Sequence, residues 1–147
     1  MNGFVNIYLR GDQIIIVPNG GGGGVFYEVE PVVVTQTVPQ DVTRAIVNAL
    51  EVSAQASLQP FPDLRKYRSP VLSHLGLKSL RQFYQNIASS AVYRKQSAIL
   101  IQPRIPALDG KGFQRGSEAL TVSDDTGLGI MVIETLQNSP RLNPLKK

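Results

Sequence analysis

Few side chains in this 147-residue sequence are of a type that does chemistry, and their spacing decides what each can do. His74, in SPVLSHLGL, is the only histidine. Imidazole catalysis needs a nucleophile and an orienting carboxylate close in space, and a metal site without cysteine draws on several His or acidic ligands. A single His among leucines has neither kind of company nearby and reads as structural. Asp124-Asp125 stands just before the last apolar helical stripe, where a carboxylate suits a helix cap and the positive end of the helix dipole. The run GGGGG at 20–24 invites comparison with phosphate-binding loops. A P-loop needs Lys-Ser/Thr at a following helix N-terminus, and a dinucleotide fingerprint needs a helix directly after the glycines. Here the glycines lead into the β-rich VFYEVE, so they read as a flexible loop between strands.

Two groups remain as candidates for holding a partner. Glu28 and Glu30 alternate with Val29 along an expected strand, so they share one face, the solvated one. Arg65, Lys66, Tyr67 and Arg68 interleave an aromatic ring with three cations in a proline-bounded loop. That composition suits a protein interface, where Arg and Tyr are favoured, and equally a nucleic-acid contact or a solvated loop whose Tyr67 packs inward. With no catalytic, cofactor-binding or metal-ligating constellation, the sequence reads as a binding protein and not an enzyme.

The elements that must position these groups follow from periodicity. Phe4–Leu9 and Gln13–Val17 are β-rich runs joined by Arg10-Gly11-Asp12, a hairpin that Pro18 and Asn19 should end. VFYEVEPVVVTQ predicts a third strand in which Pro31 marks an edge, a bulge or a break. Thr37 with Gln40 has the spacing of a capping box. Val42, Ala45, Ile46, Ala49 and Leu50 then form one stripe of a helix that fades near Ala56. After a proline-punctuated connection, a second helix is predicted from Ser79, with Gln82 in the capping position and Leu80, Phe83, Tyr84 and Ile87 as its stripe. AVYRKQSAILIQP at 91–103 then repeats the first hairpin: Tyr93 matches Tyr8, Ile99 matches Ile14, Ile101 matches Ile16 and Pro103 matches Pro18. The offset is 85 throughout. A glycine-bearing loop, a strand in SEALTVSDD and a stripe of Leu128, Met131, Val132, Thr135 and Leu136 complete the parallel. The expected fold is α+β, a β-hairpin–strand–helix unit present twice, with an antiparallel sheet packed by helices. Residues 1–139 would form one domain, with halves 1–57 and 88–139, a helical connector 58–87 and a flexible tail 140–147.

Composition narrows the setting. The sequence is 42% hydrophobic and 18% charged, with a mean hydropathy of −0.04, ordinary for a globular protein. No apolar run approaches the roughly 20 residues that span a bilayer. Cysteine is absent, so disulfide and thiolate chemistry are excluded. MNGFVNIYLR lacks the basic and apolar regions of an export signal, which makes cytoplasm the expected compartment. The net charge of +4 and pI near 9.6 favour an anionic partner.

The segment KYRSPVLSHLGLKSLRQFYQNIASSAVYRKQSAILIQP resembles the immunity proteins of bacterial contact-dependent growth inhibition (CDI) systems. Tyr67, Ser69, Pro70, Gly76, Lys78, Ser79 and Phe83 carry the resemblance, together with Gly112-Phe113 and the helix-opening pair Leu128-Gly129. Leu80 departs from it, standing where a bulkier aromatic is expected. The resemblance implies a small cytoplasmic protein that binds and neutralises a cognate toxin domain delivered by a neighbouring cell, needing no cofactor. Such toxins are often nucleases, whose inhibitors tend to be acidic. A basic inhibitor would meet an acidic toxin face, or would use a local acidic patch such as Glu28, Glu30, Asp124 and Asp125. The alternative is a basic nucleic-acid-binding or regulatory module without catalytic activity.

Overall fold

The computed structural model describes residues 3–22, 25–63, 65–122 and 125–143. Asp124 and the end of the sequence from 144 lie outside them. The alternating runs pair as expected and build a curled antiparallel sheet: β1 (Phe4–Arg10), β2 (Gln13–Gly22), β3 (Val25–Glu28), β4 (Val33–Gln36), β5 (Ile87–Lys95), β6 (Ala98–Pro106), β7 (Phe113–Arg115) and β8 (Leu120–Val122). Strand order is β3-β2-β1-β5-β6-β7, with β4 also on β2 and β8 also on β6. The helices are α1 (Pro39–Ala56), α2 (Pro70–Leu75), α3 (Leu80–Phe83) and α4 (Leu128–Gln137). None of the described helices is long and apolar enough to cross a membrane.

The hairpins turn where the chain takes left-handed backbone, at Gly11 (φ 63°) and at Gln96 (φ 58°). The first glycine pays no steric penalty there, whereas Gln96 does. β2 does not stop at Pro18 and Asn19. It runs on through Gly22, and Asn19, Gly20 and Gly21 pair with Glu28, Tyr27 and Phe26. The first glycines of the run are therefore strand, not loop. A side chain at Gly20 would meet the ring of Tyr27 at 2.8 Å, so glycine lets that ring lie over the strand. VFYEVEPVVVTQ forms two strands instead of one, β3 and β4, which pair with successive parts of β2 on either side of Pro31.

The sheet buries both faces. On one, α1 and α4 cover Val5, Ile7 and Leu9 of β1, Ile14 and Ile16 of β2, Val92 of β5, and Ile99 and Ile101 of β6. The stripes meet there as their spacing predicts: Val42, Ile46, Leu50, Leu128, Val132 and Leu136 are all fully buried. The capping details differ. Val38, not Thr37, precedes α1 and offers no side-chain cap, while Pro39 fills the first helical turn. Gly127 precedes α4, also without a side-chain cap, and Asp125 opens a short 3₁₀ turn before it. Instead, Thr43 Oγ1 on α1 accepts a hydrogen bond from the Gly129 N–H at 2.9 Å, so one helix caps the other. A side chain at Gly129 would collide with the Pro39 carbonyl, which explains glycine at this crossing.

On the other face, Tyr8, Ile15, Val17, Ile87, Val71, Phe83 and Leu142 form a smaller core closed by the connector. The connector is more helical than its prolines suggest, because Ser69 caps α2 and Gly76 ends it in left-handed backbone. Ser79 caps α3 by accepting from the Gln82 N–H, as the spacing implies, while Gln82 Oε1 reaches back to the Lys78 N–H and not to that of Ser79. That helix is nevertheless only four residues long. Leu80 is exposed, and Ile87 belongs to β5. The segment expected as tail from 140 is packed at its start: Leu142 is buried and exchanges backbone hydrogen bonds with Ile87.

Candidate functional site

The smaller core fills only one end of its face of the sheet. Beside it lies an open cleft of about 620 Å³. Its floor is the central strand pair, where Asn6 faces Ala91, Tyr8 faces Ser89 and Phe4 faces Tyr93. Registered residues share a face, so alternation along β1 delivers Phe4, Asn6 and Tyr8 to the cleft and sends Val5, Ile7 and Leu9 to the helices.

One wall carries Glu28, at the end of β3. Its Oε2 accepts a hydrogen bond from Tyr8 Oη at 2.6 Å and another from Asn6 Nδ2 at 2.8 Å. These donors fix the carboxylate against the floor. Tyr67 Oη donates to the Glu28 backbone carbonyl at 2.8 Å, drawing the connector onto the same wall. Burial, and secondarily the Glu28 charge, raises the pKa of Tyr8 well above the ordinary tyrosine value. The same causes push Tyr67 up to about 12 and raise Tyr84. All three rings therefore face the cleft as neutral phenols at physiological pH.

The opposite wall comprises Gln102 and Arg104 of β6 with Phe113, Gln114 and Arg115 of β7. The Arg104 guanidinium lies over the Phe4 ring, 5.8 Å from its centroid. Phe4 also stacks on Phe26 at 4.7 Å and on Tyr93 at 6.3 Å, making a ladder of rings at this end of the floor. Tyr84 meets Phe83 and Phe113 at 5.4 and 5.7 Å. A half-wet cleft with fixed aromatics, one anchored carboxylate and guanidinium groups is equipped to hold a polypeptide or small polar ligand.

Only part of the expected partner-binding set meets here. Glu28 and Tyr67 are joined in the cleft. Glu30 lies beyond the end of β3, exposed, and lines separate depressions near Arg94 and near His74. The two carboxylates therefore do not act as one face, because the strand ends between them. Arg65 pairs with Asp63 at 3.3 Å, Lys66 is exposed, and Arg68 bonds the Tyr67 carbonyl at 3.0 Å. These three cations decorate the outer rim of the loop while Tyr67 turns inward. His74 is exposed in the last turn of α2. Among the described residues, no group of three or more His, Asp or Glu is placed to hold a metal ion. Sequence reasoning missed Asn6, Tyr8, Tyr84, Arg104 and Arg115 as cleft residues. Strict alternation from Phe4 would have placed Asn6 and Tyr8 on one face, but not which face stays open.

No protein-family profile matches the sequence, and no curated protein matches it. Solved structures do share the fold. One is a protein of unknown function from Neisseria meningitidis, 15% identical, with a TM-score of 0.73 over 95% of this chain and 96% of that one. Another is a chain of a CdiA-CT/CdiI toxin and immunity complex from Yersinia pseudotuberculosis, 14% identical, with a TM-score of 0.64 over 93% of this chain and 97% of that one.

Proposed function

We propose that this chain is a CDI-type immunity protein: a non-catalytic, cytoplasmic binder that neutralises a cognate toxin domain by direct contact. The observation that carries the reading is the end-to-end fold likeness to a chain of a toxin and immunity complex. The cleft supports it physically. An inhibitor needs a rigid recognition surface and no reacting groups, and here Glu28 is held by Tyr8 and Asn6, in a cleft that also carries the stacked ring of Phe4. In this reading the partner contacts Glu28, Tyr67 and the rim cations Arg65, Lys66 and Arg68. Glu30 adds acidic character just outside the cleft.

The test is protection. If the reading frame beside this gene encodes an exported protein with a toxic C-terminal domain, co-expression of this chain should restore growth to cells making that domain. Growth arrest despite folded, abundant protein would reject the reading. A basic nucleic-acid-binding module is the second reading, favoured by the net charge of +4 and by Arg104 and Arg115 in the cleft. It requires affinity for nucleic acid that falls steeply with salt.

The internal duplication belongs to the same proposal. Several registers support it. Arg10↔Gln13 in the first hairpin corresponds to Lys95↔Ala98 in the second, and Asn19↔Glu28 corresponds to Arg104↔Arg115. At the centre, Asn6 faces Ala91, residues separated by the same offset of 85 (91 − 6). An approximate twofold axis would pass there. Superposing the described residues of 1–57 on those of 88–139 should reproduce strand order and handedness, and a mismatch in either would reject duplication.

A further inference from the structure

Arg104 and Arg115 stand directly opposite each other in the β6–β7 register, at the wall of the cleft. Directly opposed residues on one face of an antiparallel pair have their Cβ atoms about 5 Å apart, and like charges there repel. Among the described residues, neither forms an ion pair with a carboxylate. The ion pairs among the described residues are Arg44–Asp41 and Arg65–Asp63. Arg104 lies over Phe4 and near the phenols of Tyr8 and Tyr84, neither of them an anion at neutral pH, and Arg115 is exposed. The corresponding place on the other wall holds Asn19↔Glu28, so the cleft is dipolar, acidic on one side and basic on the other.

We propose that Arg104 and Arg115 form a carboxylate-binding fork, and that the partner is anchored there by an acidic side chain of a polypeptide. Two guanidinium groups on adjacent strands match the two oxygens of a carboxylate in geometry and charge. Stacking of Arg104 on Phe4 orients its donors before the partner arrives. A polypeptide fits better than a nucleic-acid strand because of Glu28. Glu28 on β3 and Arg104 on β6 are separated by four strand spacings, about 19 Å on a flat sheet and less on a curled one. A strand of phosphates crossing the cleft would bring negative charge beside the Glu28 carboxylate, whereas a single Asp or Glu stays at the basic wall. The fork also accounts for a basic protein recognising a protein partner: the grip is on an acidic residue. Naming that partner a toxin rests on the proposed function, but the fork does not.

The full-length protein is tested in two ways that need no toxin. First, thermal unfolding at low salt is compared for the wild type and R115E. Relief of the repulsion should raise the melting temperature by about 1–4 °C. A lower melting temperature would mean that Arg115 serves the fold, and would overturn the proposal. Second, an acetylated, amidated tetraglutamate peptide and a tetrathymidylate are titrated while the Arg Nε–H NMR signals are followed. Tetraglutamate should shift Arg104 and Arg115 and leave Arg65 and Arg68 in place. R115Q, whose fold is checked by its amide spectrum, should weaken the peptide at least fivefold. Tighter binding of tetrathymidylate at the same arginines would replace the proposal with a nucleic-acid site, and no shift with either probe would reject the fork. Immunity would survive either failure, since a toxin held on another surface would still be neutralised.

Discussion

Adding one methyl group at Gly129 tests the helix crossing on which the larger core depends. Alanine is the better helix former, by about 1 kcal/mol in a helix interior. Propensity alone therefore predicts a more stable protein. Packing predicts the opposite. The new Cβ would lie 2.6 Å from Thr43 Oγ1 and closer still to the Pro39 carbonyl oxygen, a backbone atom that no rotamer change can move. To make room, α4 must move off α1. That move stretches the 2.9 Å bond from the Gly129 N–H to Thr43, worth about 0.5–1.5 kcal/mol. It also loosens Leu128 and Val132, which are fully buried nearby. Overpacking of this kind costs about 1–3 kcal/mol. Packing therefore wins, and Gly129→Ala should lose about 1–3 kcal/mol net, lowering the melting temperature by several degrees for a domain of this size. Urea unfolding followed by circular dichroism measures the loss. Thr43→Ala in the same background should rescue little, since the nearer obstacle is Pro39. An unchanged or higher midpoint for Gly129→Ala, or full rescue by Thr43→Ala, would refute the reasoning.

Other outcomes follow from the same contacts. Truncating Val42, Ile46, Leu50, Leu128, Val132 or Leu136 to Ala should cost about 1–4 kcal/mol, the Val sites least, in the same unfolding assay. Ser53 is buried, and its Oγ accepts from the Phe4 N–H at 2.8 Å and donates to the Asn19 carbonyl at 2.5 Å, so Ser53→Ala should cost about 1–3 kcal/mol. Tyr8, Tyr67 and Tyr84 have raised pKa values, so the fold favours their neutral forms; that contribution is complete below pH about 10 and fades as pH rises through about 12 for Tyr67. Absorbance titration at 295 nm with parallel circular dichroism should show late ionisation coupled to unfolding, and simple ionisation of all tyrosines near pH 10 in an intact fold would contradict it. His74→Gln should leave partner binding unchanged, whereas charge reversal at Arg65 and Arg68 should weaken binding of an acidic partner and strengthen or spare that of a basic one, as measured by calorimetry.

The parts of this architecture legible in the sequence were those governed by short-range periodicity. The stripe from Val42 to Leu50 and the alternation in both hairpins appear in the structure because burial on one face leaves a direct imprint on residue order. The α+β class followed from them. Caps and breaks were less legible. Thr37-x-x-Gln40 has the pattern of a capping box, yet Pro39 at the first turn makes a side-chain cap dispensable. Gly20 to Gly22 continue β2 by pairing with β3, with the Tyr27 ring against Gly20, a contact that no local pattern encodes. Thr43 caps a helix 86 positions away, which only tertiary packing creates. The cleft divides along the same line. Tyr67 in a basic loop and Glu28 on a strand were visible as residue types, but their union depends on the connector folding back onto β3. Arg104 and Arg115 escaped notice because neither lies in a charged cluster; register alone brings them together.

The most direct measurement of the central claim is the affinity of this protein for a toxic C-terminal domain, where a neighbouring reading frame encodes one, by calorimetry, with the wild type and with Glu28→Lys. Circular dichroism of each protein controls for folding. A toxin and immunity pair held in the cleft predicts tight one-to-one binding by the wild type and a loss of at least tenfold on reversing the anchored carboxylate. No binding to that domain by a folded wild-type protein, or tight binding to nucleic acid instead, would contradict the account.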